Sequence, residues 1–189
     1  RPSIPSWSPA IHLALFKDLD EQYIINSMNV NATAVMRLIH RFYDKIQGVK
    51  DFYCGVMVSI AGFMSSPFFS VYGASKAALK IFIESVNVEL EKSGTSNRIL
   101  NVSPGAIKGT SFNQGDTDLS QTSVLAQQII KHLETKDDLF IPQYDEVFKH
   151  VLSRYHADFR EEELFNVLPA ICYFMTTLKH EHPNTGVVF

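Results

Sequence analysis

Cysteine, blocks of like charge and long apolar runs are all scarce in this chain. Two cysteines, Cys54 and Cys172, stand in 189 residues. Two cannot build a disulfide framework or a cysteine zinc site. Each lies in an apolar run and reads as a small packed hydrophobe, which fits a reducing, cytoplasmic compartment. Seventeen basic residues stand against twenty acidic ones, a net charge of −3, with no run of either sign. The basic stripe that would track nucleic-acid phosphates or an anionic membrane surface is missing, so neither partner is expected. No stretch reads as a signal peptide or a membrane span. The most apolar candidate, Leu164 to Leu178, is short, is interrupted by Pro169 and is followed by Lys179, so a core helix is expected there. Internal repeats and low-complexity segments are also absent.

The chain does have the material of a globular domain. A hydrophobic fraction of 46% and a charged fraction of 20% suit one domain with a sizeable core across residues 1–189. Arg1 to Ala10 contains Pro2, Pro5 and Pro9 and is expected to be irregular. Asp18 to Gln47 reads as helical in two pieces, Leu19-Ile24-Ile25-Met28 and then Val35-Leu38-Ile39-Phe42-Ile46, ended by Gly48. Cys54 to Ser59 is expected as a strand, nearly all apolar and so buried on both faces. Ala61 to Val71 reads as a loop. Tyr72 to Glu91 reads as a helix stopped by Ser93-Gly94, and Ile99 to Ser103 as the next strand. Strand, helix, strand is the grammar of a parallel sheet, whose chemistry gathers at the carboxyl ends of the strands.

Beyond Ala106 the pattern loosens. Gln121 to Leu133 and Val147 to Tyr155 read as helices, with Leu139-Phe-Ile-Pro142 an ambiguous apolar patch between them. A long excursion of this kind is usually functional. Glu161 to Leu178 is expected as a helix and Gly186 to Phe189 as a short strand.

Tyr72 and Lys76 are separated by one helical turn, which puts them on one face about 6 Å apart along the axis. Ser59 stands thirteen residues before Tyr72. Read separately, Tyr72 and Lys76 are a snorkelling surface pair, Ser59 a strand terminator and Asn31 a helix cap. Phe63, Phe68 and Phe69 beside Met64 form either an apolar substrate wall or ordinary loop packing. His180 and His182 hint at a metal, but no third ligand is in view, and a solvated loop is the simpler reading.

Read together, these residues resemble the short-chain dehydrogenase/reductases. The family signature is Tyr-x-x-x-Lys opening a helix with a serine thirteen positions upstream, matched by Tyr72, Lys76 and Ser59. Val30-Asn31-Ala-Thr resembles the family's Asn segment, Ser103-Pro-Gly-Ala-Ile107 its Pro-Gly turn, and Thr185-Gly186 its usual Thr-Gly. The resemblance covers about residues 11–110 and 160–189. It implies an α/β fold, a Rossmann-like doubly wound parallel sheet.

The resemblance also implies a catalytic set of Asn31, Ser59, Tyr72 and Lys76. Tyr72 would be the acid/base, Lys76 would lower its pKa and bind the nicotinamide ribose, Ser59 would hold the substrate oxygen, and Asn31 would hold a relay water. Tyr72, Lys76, Pro104, Gly105, Ile107 and Thr110 would contact the cofactor. Gly109 stands where the family usually has its threonine, with Thr110 one place later. The implied activity is hydride transfer between NADP or NAD and a carbonyl or secondary alcohol, with residues 106–160 as substrate lid.

No Gly-x-x-x-Gly-x-Gly turn occurs in the chain, nor the residue that chooses between NAD and NADP, so the cofactor preference is not readable. The chain is accordingly expected to be N-terminally incomplete or completed by a partner, since the strand at Cys54 should be bonded on both sides. A non-catalytic subunit that has lost cofactor binding is the competing reading. An epimerase or dehydratase is a third, disfavoured by the short C-terminal region. The resemblance further implies a homodimer or homotetramer pairing Ala34–Gln47 with Tyr72–Glu91, through Val35, Ile39, Ile83 and Val86 if they are exposed.

Overall fold

Three parallel strands organise the molecule: β1 (Cys54–Met57), β2 (Ile99–Val102) and β3 (Leu139–Phe140), in the order β1-β2-β3. The computed structural model describes residues 14–107 and 122–164. Cys54 pairs with Ile99 and Met57 with Val102, while Asn101 pairs with Leu139. The ladder continues past the strand ends. Val58 N–H donates to the Val102 carbonyl at 2.8 Å, and Ile60 N–H to the Pro104 carbonyl at 3.0 Å. This register carries Ser59 and Pro104-Gly105 to one edge.

All four residues of β2 are buried, as expected for a strand covered on both faces. The same expectation for β1 is corrected. Val56 and Val58 are buried, whereas Gly55 and Met57 are exposed, so β1 alternates like a strand covered on one side. Among the described residues β1 pairs with β2 alone and forms the sheet edge.

The helices cover the sheet from two sides. α1 (Glu21–Met28) is capped by Asp20, whose Oδ1 accepts from Tyr23 N–H at 2.6 Å. It runs through a π-helical turn, Asn29–Thr33, into α2 (Ala34–Gln47). The two expected pieces are thus one helix with a widened turn at the junction.

α3 (Ser70–Lys92) starts two residues earlier than expected and ends at Gly94, whose φ of +83° suits a residue without a Cβ. Its residues Leu79, Ile83, Val86 and Leu90 form one core with Ile39 and Ile46 of α2 and with Val56, Val58 and Ile99 of the sheet. α4 (Ser123–Glu134) lies on the opposite face, with Leu133 against Gly55. Helices on both faces of a parallel sheet make this a doubly wound, Rossmann-like α/β fold.

The ambiguous patch at Leu139 resolves as β3. A parallel strand needs a crossover, and α4 supplies it, so this part of the 106–160 span is built into the sheet. Asn97 ties the opposite edge together. Its side chain donates to the carbonyls of Gly48 (3.1 Å) and Lys50 (2.8 Å) and accepts from Phe52 N–H (2.9 Å) and Lys136 Nζ (3.0 Å).

Beyond β3, a π-helical turn at Tyr144–Phe148 leads into α5 (Lys149–Ala157), and residues 159–164 are helical. The expected core helix at Leu164 to Leu178 lies outside the described residues beyond Leu164. So do the strand at Gly186 to Phe189, Thr185, His180, His182 and Cys172. Among the described residues no helix is long and apolar enough to cross a membrane, and no cluster of His, Cys, Asp or Glu could hold a metal.

Candidate active site

The chain leaves β1 at Val58 and turns at once. Ser59 is extended, and its Oγ accepts from Ala61 N–H at 3.2 Å, opening a 3₁₀ turn at Ile60–Gly62. That turn presses against the start of α3. A Cβ on Gly62 would come within 2.9 Å of the Lys76 carbonyl oxygen, so only glycine allows this approach. The small residues at the head of α3 serve the same contact, Gly73 meeting the Ala61 carbonyl. The close packing brings Tyr72 to Ser59.

Tyr72 is buried, 7% exposed, with Phe69 edge-on at 6.4 Å. Burial raises the phenol pKa above its usual 10.0, and the hydrogen bond with the Ser59 side chain pulls it back in part. Lys76 Nζ lies 5.6 Å from the Tyr72 ring and donates to the Met57 carbonyl at 3.1 Å. Burial lowers its pKa. The acidification of Tyr72 expected from Lys76 is therefore not the dominant influence here. The ammonium is directed at the strand, and desolvation of the phenol wins.

Asn31 is buried in the π-helical turn and donates to Ser27 Oγ at 3.3 Å. That turn packs against α3. Pro104 is buried and Gly105 follows it at the sheet edge. Gly105 is covered, since a Cβ there would meet the Phe148 ring at 2.6 Å. Ile107 is half-buried; Gly109 and Thr110 lie outside the described residues.

The structure thus brings Ser59, Tyr72 and Lys76 together and puts Pro104-Gly105 on the adjoining strand end. Phe148 was not visible as a site residue in the sequence. It comes from the stretch of loosened pattern and reaches Gly105 only through the fold.

The fold and the edge define a class, the doubly wound α/β proteins whose ligand sites lie where strands end. The model of the family described as short chain dehydrogenase matches residues 10–121, and the chain belongs to that family. No curated protein matches the chain.

Several solved structures are similar. The apo form of LigD from Sphingobium sp. strain SYK-6 is 22% identical with a TM-score of 0.63, the match covering 80% of this chain and 59% of that one. A short-chain dehydrogenase from Sphingobium yanoikuyae in complex with NADPH is 20% identical with a TM-score of 0.58, covering 82% and 61%. An alcohol dehydrogenase from the archaeon Thermococcus sibiricus complexed with 5-hydroxy-NADP is 15% identical with a TM-score of 0.55, covering 69% and 57%. At these identities the likeness carries the fold. The matches span about three fifths of each of these chains.

Proposed function

We propose that this protein is an NAD(P)-dependent oxidoreductase that moves a hydride between nicotinamide and a carbonyl or secondary alcohol. The observation that carries the reading is the hydrogen-bonded Ser59–Tyr72 pair, with Lys76 one turn later, at the carboxyl edge of the sheet. The donor set fits the nicotinamide–ribose half of the cofactor: Lys76 offers an ammonium and Tyr72 a hydroxyl to a ribose diol. Among the described residues nothing offers the glycine-rich cradle a pyrophosphate needs.

When bound, the cofactor would supply or accept the hydride. The chain's own groups handle the proton. In the reducing direction, Tyr72 gives its phenolic proton to the carbonyl oxygen as the hydride adds to the carbonyl carbon. A phenol whose pKa is raised by burial is protonated at neutral pH and ready as the acid. Ser59 donates to the same oxygen and spreads its developing charge. Lys76 favours the phenolate left behind. Asn31 holds the water through which protons return to Tyr72. Pro104, Gly105 and Ile107 would line the nicotinamide.

We assign the lid, expected over residues 106–160, chiefly to the Tyr144–Phe148 turn and α5. Its Phe148 lies on Gly105, and closure over that face excludes water.

The protein pairs with a second copy through α2 and α3, as a homodimer or homotetramer. The residues expected to make that contact are corrected in part: Ile39, Ile83 and Val86 are core residues, while Leu38, Phe42, Ile81 and Val88 are exposed. Sedimentation that finds monomer alone would contradict the pairing.

A second reading is favoured by Phe148 itself, whose ring covers Gly105. It is a family member that keeps the fold without binding cofactor. Titration of the full chain with NADPH and NADH, followed by nicotinamide fluorescence, decides between the two. Saturable binding of either supports the oxidoreductase, and no change with either supports the non-catalytic subunit.

A further inference from the structure

We propose that Phe148 gates the nicotinamide site. Its ring fills the face of Gly105 in the free protein, and the π-helical turn that carries it slips by one residue to let the cofactor in. The inference rests on the nicotinamide site proposed above. A Cβ on Gly105 would stand 2.6 Å from Phe148 Cζ and 3.4 and 3.5 Å from the two Cε atoms. The ring therefore points tip-first at the bare glycine, on the surface that nicotinamide would need. Two rings cannot share that face.

The turn behind Phe148 is built to change register. Val147 N–H donates to the Gln143 carbonyl at 3.0 Å and Phe148 N–H to the same oxygen at 3.3 Å. One carbonyl thus serves the α-helical and the π-helical spacing together. Lys149 N–H keeps the wider spacing, donating to the Tyr144 carbonyl. If Phe148 N–H moves to Tyr144 and Lys149 N–H to Asp145, the turn becomes α-helical with its hydrogen bonds kept. Such widened turns occur mostly as single turns, frequently at functional sites. The slip swings Phe148 by about 100° around the helix axis, off Gly105.

The slip also has a place to be absorbed. Gln143 lies in the left-handed region, at φ +58° and ψ +33°, a conformation costly for a residue with a Cβ. A residue freed from the turn is taken up there, and Gln143 then relaxes. Ile141 and Leu152 are buried on either side of the turn, whereas residues 143–147 are exposed. The turn can therefore move between two fixed anchors without opening the core. Strain at Gln143 favours the open form and the Phe148 contact the closed one. Cofactor affinity is then reduced by the fraction of molecules in which the gate is shut.

The test titrates the full chain, Phe148→Ala and Gln143→Gly with NADPH and NADH, followed by nicotinamide fluorescence. The Gly105 amide NMR signal of each free protein reports the ring. Phe148→Ala is expected to bind at least about tenfold tighter than wild type and to lose the ring-current shift at Gly105. Gln143→Gly removes the cost of the closed form and is expected to bind about fivefold weaker. Measurable binding by wild type that Phe148→Ala does not tighten overturns the gate and leaves the oxidoreductase reading standing. Binding of neither cofactor by wild type and Phe148→Ala overturns both. If Phe148→Ala does not fold, Gln143→Gly decides alone, and affinity equal to or above wild type overturns the gate.

Discussion

Tyr72 and Lys76 share a helical face, and burial disfavours the charged form of each: the phenol is pushed up and the ammonium down. Ser59 is the group that opposes this at the tyrosine. Ser59→Ala should therefore raise the Tyr72 pKa further, read by tyrosinate absorbance in a titration above pH 9; an unchanged titration would remove Ser59 from the pair. Asn97, 1% exposed, joins four partners at the other edge. Asn97→Ala strands buried donors and acceptors and should cost about 3 kcal/mol in urea unfolding. Ser59 and Tyr72 are legible in the sequence as a strand end and a helix start that meet at one sheet edge, and their pairing is what the family resemblance implies. Phe148 and Glu163 are not legible in this way. Phe148 meets Gly105, and Glu163 lines one pocket with the aromatic loop, residues distant in sequence.

Among the elements, α3 carries the most, since it packs on α2 and the sheet and presents the site at its first turns. Leu79 is fully buried at its centre, and Leu79→Ala should destabilise the protein by about 2–5 kcal/mol. Gly62→Ala makes a sharper test of how the site is set. The new Cβ would press on the Lys76 carbonyl oxygen, so the 3₁₀ turn must move, at a cost of about 1–3 kcal/mol. The Tyr72 titration should shift with it, because Ser59 opens that turn. The long helices and β2 are readable from apolar periodicity alone. β1 misleads because an unbroken apolar run looks the same whether one face or two are covered. β3 hides because two residues of strand carry no period at all.

At the scale of the molecule, pH dependence reads out Glu163, which is 7% exposed and has no hydrogen-bond partner at Oε1 among the described residues. The folded-state pKa of Glu163 is raised above its ordinary 4.5, so its neutral form favours folding. That contribution is full below the unfolded pKa and is lost as pH rises through the folded one. Glu163→Gln should therefore raise Tm at pH 7 relative to wild type and narrow the difference at pH 4; a variant less stable at both would contradict the assignment.

We propose that this sheet edge transfers protons for hydride chemistry, with Tyr72 as the acid. The most direct measurement is NADPH- or NADH-dependent reduction of a panel of carbonyl compounds by wild type and Tyr72→Phe, with circular dichroism to show that both are folded. Turnover is expected in the wild type, with a loss of at least about a hundredfold in the variant. Equal rates in the two folded proteins would contradict it.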